Sequence, residues 1–155
     1  MQLTQKECSL LKDMKGQEEL CIQKYTDHAA SASDGQLKNL FDQLAGIERN
    51  HLNTINQIES GSVPDMSGSQ SGGQNTPSGN FTATYSAQET DAKKRDCFLC
   101  SDLLASEKHA SHLYDTCIFE FQDEQVRNAL NHIQKEEQNH GKMIYDYMSV
   151  NHMYS

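Results

Sequence analysis

The sequence contains no tryptophan, two prolines and five cysteines, and its 13 Lys and Arg are outnumbered by 22 Asp and Glu. The resulting net charge of -9 and pI near 5.1 repel phosphate backbones and anionic headgroups, which excludes nucleic acid as a natural partner. No stretch approaches the roughly 18 consecutive apolar residues of a spanning helix. The opening MQLTQKECSLLK also lacks the basic start and apolar run of a secretion signal, so synthesis in the cytoplasm without membrane insertion is expected. An odd set of cysteines, Cys8, Cys21, Cys97, Cys100 and Cys117, is not the dense even pattern of a disulfide scaffold, and reduced thiols are expected. Hydrophobic residues amount to 35% and mean hydropathy is -0.77. Apolar side chains must therefore lie on narrow faces, which favours amphipathic helices. A length of 155 residues suits one domain with a full core, taken here as 1–155.

Both prolines, Pro64 and Pro77, and five of the nine glycines fall between Ser60 and Ser86, a segment without Lys or Arg. This reads as a crossover linker over 60–86. On either side apolar residues recur every three or four positions, predicting helices over 5–31, 35–59, 87–121 and 124–148, with a short tail over 149–155. Thr4-Gln-Lys-Glu7 and Ser86-Ala-Gln-Glu89 read as capping boxes opening the first and third helices, and Asp34 and Asp123 as N-caps of the second and fourth. Sliding the chain along itself by 89 residues places Cys8, Leu10, Asp13, Glu18, Tyr25, Asp34, Gln36, Asn39, Glu48, Asn50, His51 and Ile55 on identical residues from Cys97 to Ile144. The sequence thus predicts an all-α four-helix bundle made of one helical hairpin used twice, 4–59 and 87–148. The second and third helices are expected to run parallel across a long crossover loop.

The helical seams contain misfits. Glu18 interrupts the first, Glu48 and His51 the second, Glu107 the third, and Glu137 and His140 the fourth. Burying a carboxylate without a partner costs several kcal/mol, on the order of 3–5 when one member of a buried pair is missing. No Lys or Arg lies in these seams. Two divalent metals would cancel four carboxylates, and one Glu on each of two helices plus Glu-x-x-His on each of the others is the ligand set of di-iron or di-manganese carboxylate bundles. The turns near Asp34 and Asp123 lie about 15 residues from each ligand position, so antiparallel packing brings all six to one level, roughly 23 Å from the turn. The alternative is a metal-free bundle whose glutamates reach solvent along a loose seam and satisfy the histidines.

Tyr25 and Tyr114 stand seven residues after Glu18 and Glu107 on the same face, as partners of a ligand carboxylate or as core tyrosines with a satisfied hydroxyl. Gly16 and Gly46 sit inside helices, at a cost of about 1 kcal/mol each relative to alanine that close helix approach would offset. Cys97-Phe-Leu-Cys100 is a lone pair inside a helix and reads as small core thiols. His109, His112, His132 and His152 fall outside the seams and read as surface residues. His28 is a seam residue whose counterpart is Cys117, so it is not a symmetric ligand.

The run Leu11-Lys-Asp-Met14, Glu18 through Tyr25, Asp34 through Phe41, and Glu48-Arg-Asn-His51 with its Leu-Asn-Thr continuation resembles the ferritin-like superfamily. It is closer still to the coat F family of endospore-forming bacteria, and the resemblance covers both helical pairs. It implies a rubrerythrin-like site with metal roles for Glu18, Glu48, His51, Glu107, Glu137 and His140. It also implies a protein deposited in or on the spore coat among other coat proteins, and it admits a homodimer. The paired CxxC motifs of a rubredoxin module and the fifth helix of cage-forming ferritins have no counterpart, so iron storage in a shell is not expected. Two function classes follow: a structural coat component carrying a di-metal site, and a di-metal oxidoreductase acting on oxygen or peroxide.

Overall fold

In the computed structural model, which describes residues 1–66 and 80–154, no strand occurs among the described residues, and four helices account for about three quarters of them. They are α1 (Gln5–Ser31), α2 (Gly35–Glu59), α3 (Asp91–Ile118) and α4 (Glu124–Val150). The start of α1 is a complete capping box: Thr4 Oγ1 accepts from the Glu7 backbone N–H, and the Glu7 carboxylate accepts from that of Thr4. Asp34 and Asp123 cap α2 and α4 through their side chains, satisfying first-turn N–H groups that have no intrahelical partner.

The expected box at Ser86 does not open α3. Ser86 Oγ accepts from Gln88 N in a local turn, Glu89 pairs with Lys93 Nζ at 2.8 Å, and Thr90 is the N-cap, accepting from Lys93 N. A box requires the glutamate to turn back to its own cap, and here the buried Lys93 holds it instead. At its other end α3 stops at Ile118 rather than 121. Phe121 is nonetheless buried, because the turn folds it back onto the core.

α1 packs chiefly on α2, and α3 chiefly on α4. Between the pairs, Tyr114 meets Glu18 while Asp102 meets Lys24 and His28, so α1 and α3 run antiparallel. His140 meets Glu48 and Tyr147 meets Asp34, so α2 and α4 also run antiparallel. It follows that α2 and α3 run parallel, and the chain must travel the length of the bundle between them. At about 1.5 Å per residue, the 25 residues of α2 span roughly 37 Å. The described ends of the connection lie at opposite ends of the helices: Val63 and Met66 pack beside Leu11 and Ile58, whereas Phe81 packs on Tyr147 and Thr82 bonds to Gln36. Residues 67–79, with Pro77 and four glycines of the expected linker, lie outside the described residues, as does Ser155 at the end of the tail.

Two apolar clusters fill the interior. One holds Tyr25, Leu37, Phe41, Leu44, Leu103, Ile144 and Tyr147, and the other holds Leu11, Met14, Ile55, Ile58, Leu130 and Ile133. On every helix the glutamates and histidines noted above fall between the residues of one cluster and those of the other. Gly16 and Gly46 are not close-approach positions, since a Cβ on either would have no neighbour within 4 Å.

The start of α3 is tied to the α1–α2 turn by Asp96, which is fully buried and accepts from the backbone N–H of Ser33 and Asp34 and from the Tyr85 hydroxyl at 2.7–3.0 Å. Removing that carboxylate leaves three donors unpaired. Asp96→Ala is expected to lower unfolding free energy by about 2–4 kcal/mol in urea titrations, and a loss below about 1 kcal/mol would contradict this role.

Candidate metal centre

The six seam residues converge on one layer midway along the helices, all at 2% exposure or less. They form two overlapping groups, Glu18, Glu48, His51 and Glu137 in one and Glu48, Glu107, Glu137 and His140 in the other. Within each group one ligand-type atom per residue lies within 4.8 Å of all the others. Glu48 and Glu137 belong to both groups, while Glu18 with His51 and Glu107 with His140 belong to one each. The 89-residue offset exchanges one group for the other.

Both imidazoles turn Nδ1 toward the carboxylates. His51 Nδ1 lies 3.1 Å from Glu48, 3.0 Å from Glu137 and 3.7 Å from Glu18. His140 Nδ1 lies 3.0 Å from Glu48, 3.4 Å from Glu107 and 3.7 Å from Glu137. The rings are stacked 5.9 Å apart. The tyrosines make reciprocal contacts across the bundle: Tyr114 donates to Glu18 at 2.5 Å, and Tyr25 donates to Glu107. Each phenol is fully buried and bonds the outer carboxylate of the opposite hairpin, which both roles left open by the sequence require.

The charge is not balanced by protein cations. Among the described residues no Lys or Arg pairs with these four glutamates. Burial pushes Glu48 well above the usual carboxylate range, with the charge of Glu107 and the proximity of Glu18 adding to it. Glu137 is raised in the same way by burial and by the charges of Glu107 and Glu48. In Glu18, burial acts to raise the pKa but is outweighed by the nearby His51 and Glu48 and by the hydrogen bond from Tyr114, so it lies below its ordinary value. Glu107 is lowered likewise, against burial, by Glu137 and His140. For His51, burial disfavours the cation, yet contacts with Glu136, Glu137, Glu18 and Glu48 raise it well above the ordinary imidazole value. Within the layer the carboxylates and imidazoles bond to one another.

Even so it is incompletely satisfied. Glu18 Oε2, Glu107 Oε2 and Glu137 Oε2, all buried, have no hydrogen-bond partner, and neither do the outward Nε2 atoms of His51 and His140. Carboxyl oxygen atoms left bare in an apolar interior, beside imidazole nitrogens, are the donor set that hard or borderline divalent cations take once the carboxyls are ionised. The residues present fit two such ions, each facing three carboxylates and one imidazole.

Other residues fall as follows. His28 is paired with Asp102 at 2.8 Å, away from the layer. His109, His112 and His152 are exposed. Cys100 is buried and Cys97 half-buried against Met153. The Cys21 thiol is pushed up by burial and by the surrounding glutamates, which keeps it protonated and outside the donor set. One residue that the sequence did not single out borders the site: Glu136 lies 3.4 Å from His51 Nε2, without hydrogen-bond geometry, and 2.6 Å from the half-buried His132. Its counterpart at the 89-residue offset is Ile47, so the repeat comparison concealed it. The i,i+4 spacing of His132 and Glu136 was the available signal.

The family model described as Coat F domain matches residues 95–155, which hold most of α3, all of α4 and therefore Glu107, Glu137 and His140. The resemblance seen in the sequence extended over both hairpins, whereas this match covers the second. No curated protein and no solved structure matches the chain.

The proton balance of the layer sets a pH dependence. Glu48 and Glu137 bind protons more tightly folded than unfolded, so their contribution is full below the ordinary carboxylate pKa and is lost as pH rises through their raised values. His51 acts with the same sign above the ordinary imidazole value, whereas the lowered Glu18 and Glu107 lose their contribution only as pH falls below the ordinary carboxylate value. Metal-free protein should accordingly melt at a progressively lower temperature as pH is raised from about 5 to 8. Calorimetry showing a rise over that window would contradict the assignment.

Proposed function

We propose that this chain is one ferritin-like domain of the spore coat F type, a structural coat component whose bundle is held by a di-iron or di-manganese centre. The observation that carries the metal reading is that Glu48 and Glu137 are each shared by two four-residue donor groups, which is the arrangement two neighbouring cations require. The coat assignment is supported by the Coat F domain match over 95–155. That no helix among the described residues is long and apolar enough to cross a membrane accords with this role.

In this reading Glu18 and His51 would help hold one ion, Glu107 and His140 the other, and Glu48 and Glu137 would serve both. Iron or manganese bound there would neutralise the four carboxylates and supply redox chemistry toward oxygen or peroxide. The protein's own part is positioning. Tyr25 and Tyr114 hold the outer carboxylates in place, and the apolar clusters above and below bury the layer along the bundle axis, so that charge interactions within it are less screened than in water. A second reading, a di-metal oxidoreductase acting on oxygen or peroxide, is favoured by a cleft between α3 and α4 that reaches Glu107 and Glu137. Turnover of hydrogen peroxide by reconstituted protein separates this reading from a purely structural one.

Because Glu48, Glu137 and His51 bind protons more tightly than usual in the metal-free layer, cation binding there would be linked to proton release. Titration with Mn(II) or anaerobic Fe(II) should end near about two ions per chain, with proton release into weak buffer and an affinity that increases with pH. Glu48→Ala and Glu137→Ala should each reduce both stoichiometry and affinity. A ratio near zero in folded protein would leave the metal-free bundle as the correct description.

A further inference from the structure

The two hairpins are alike in their ligands but not in how they cover them. Between α3 and α4 lies an open cleft of about 500 Å³, and two of its lining residues are Glu107 and Glu137. Each of these has a buried Oε2 without a partner. The cleft wall also includes Ser111 and Gly141. At the 89-residue offset these positions are Ile22 and Leu52 in the first hairpin, both half-buried. Large apolar side chains thus stand on α1–α2 where α3–α4 has a hydroxymethyl group and a hydrogen atom. A Cβ added at Gly141 would meet Leu104 Cδ1 at 3.6 Å, an ordinary contact, so any longer side chain there must extend into the cleft.

We propose that this cleft is the port through which hydrated divalent cations reach the buried carboxylates, and that Ser111 and Gly141 keep it open. The inference rests on the metal-centre reading above. The dimensions suit it: a cation with six waters needs roughly 180 Å³ at about 30 Å³ per water, well within the cleft. The chemistry suits it as well, since the bare oxygen atoms of Glu107 and Glu137 can replace waters of the incoming ion one at a time. The group formed by Glu48, Glu107, Glu137 and His140 is then filled from the cleft side, and the shared Glu48 and Glu137 lead on to the other group.

The test uses full-length metal-free protein and Co(II) or Mn(II), comparing wild type with Gly141→Leu, Ser111→Ile and the control Gly46→Leu, whose Cβ has no neighbour within 4 Å. Stopped-flow uptake and removal by EDTA give the rates, and equilibrium dialysis gives the final stoichiometry. Both cleft variants should slow uptake and removal by about tenfold or more at unchanged stoichiometry, with Gly46→Leu at the wild-type rate. Should Gly141→Leu fail to fold, Ser111→Ile carries the same test. Unchanged rates with full stoichiometry in the cleft variants would overturn the port while leaving the metal centre intact. A wild type that takes up no metal would overturn the metal reading, and the port with it.

Discussion

Four glutamates placed at the centre of an apolar helical bundle, with two histidines and no lysine or arginine to meet them, are the constraint around which this molecule is organised. Carboxylates transferred from water into such an interior must be neutralised. Without metal the carboxylates and imidazoles of the layer bond to one another, Glu48, Glu137 and His51 are shifted toward their protonated forms, and three carboxyl oxygens stay bare. An apolar layer at the same level would be more stable on burial grounds alone. The six ionisable groups therefore cost stability where they stand, and Asp96 and the caps secure the helix ends around them.

The approximate two-fold relation between the hairpins explains the centre, and its breakdown explains the surroundings. Tyr25 with Glu107 and Tyr114 with Glu18 obey the 89-residue offset, as do the two histidine contacts. Glu136 beside His51 does not, because its counterpart is Ile47, and neither do Ser111 and Gly141, whose counterparts are Ile22 and Leu52. Inner positions face the same chemical demand in both halves. Outer positions differ, and the α3–α4 side of the layer opens to a cleft.

How much of this could be read in the sequence follows from the same distinction. The helices were legible because the apolar period is long, and the six buried ionisable residues because they interrupt it at positions that call for an apolar side chain. The caps at Thr4, Asp34 and Asp123 were legible because their partners lie within three residues. The start of α3 was misread because Ser86 to Glu89 has the letters of a capping box, while what decides the matter is where the side chain of Lys93 goes. Gly16 and Gly46 were expected to mark close helix contacts and face open space instead. The distance between two helices, and hence the cleft, depends on side chains from both, which no period along one helix reports. Glu136 stood beside a stronger signal and off the repeat.

The central claim concerns what neutralises the layer, and the most direct measurement is anomalous diffraction at the iron and manganese edges from crystals of reconstituted protein. The account predicts two peaks within about 4 Å of each other. One should lie among Glu18, Glu48, His51 and Glu137 and the other among Glu48, Glu107, Glu137 and His140, with all four carboxylates turned toward them. Crystals that keep the four helices in place yet show no anomalous density in that layer, with Glu48 and Glu137 still sharing protons with their neighbours, would contradict it.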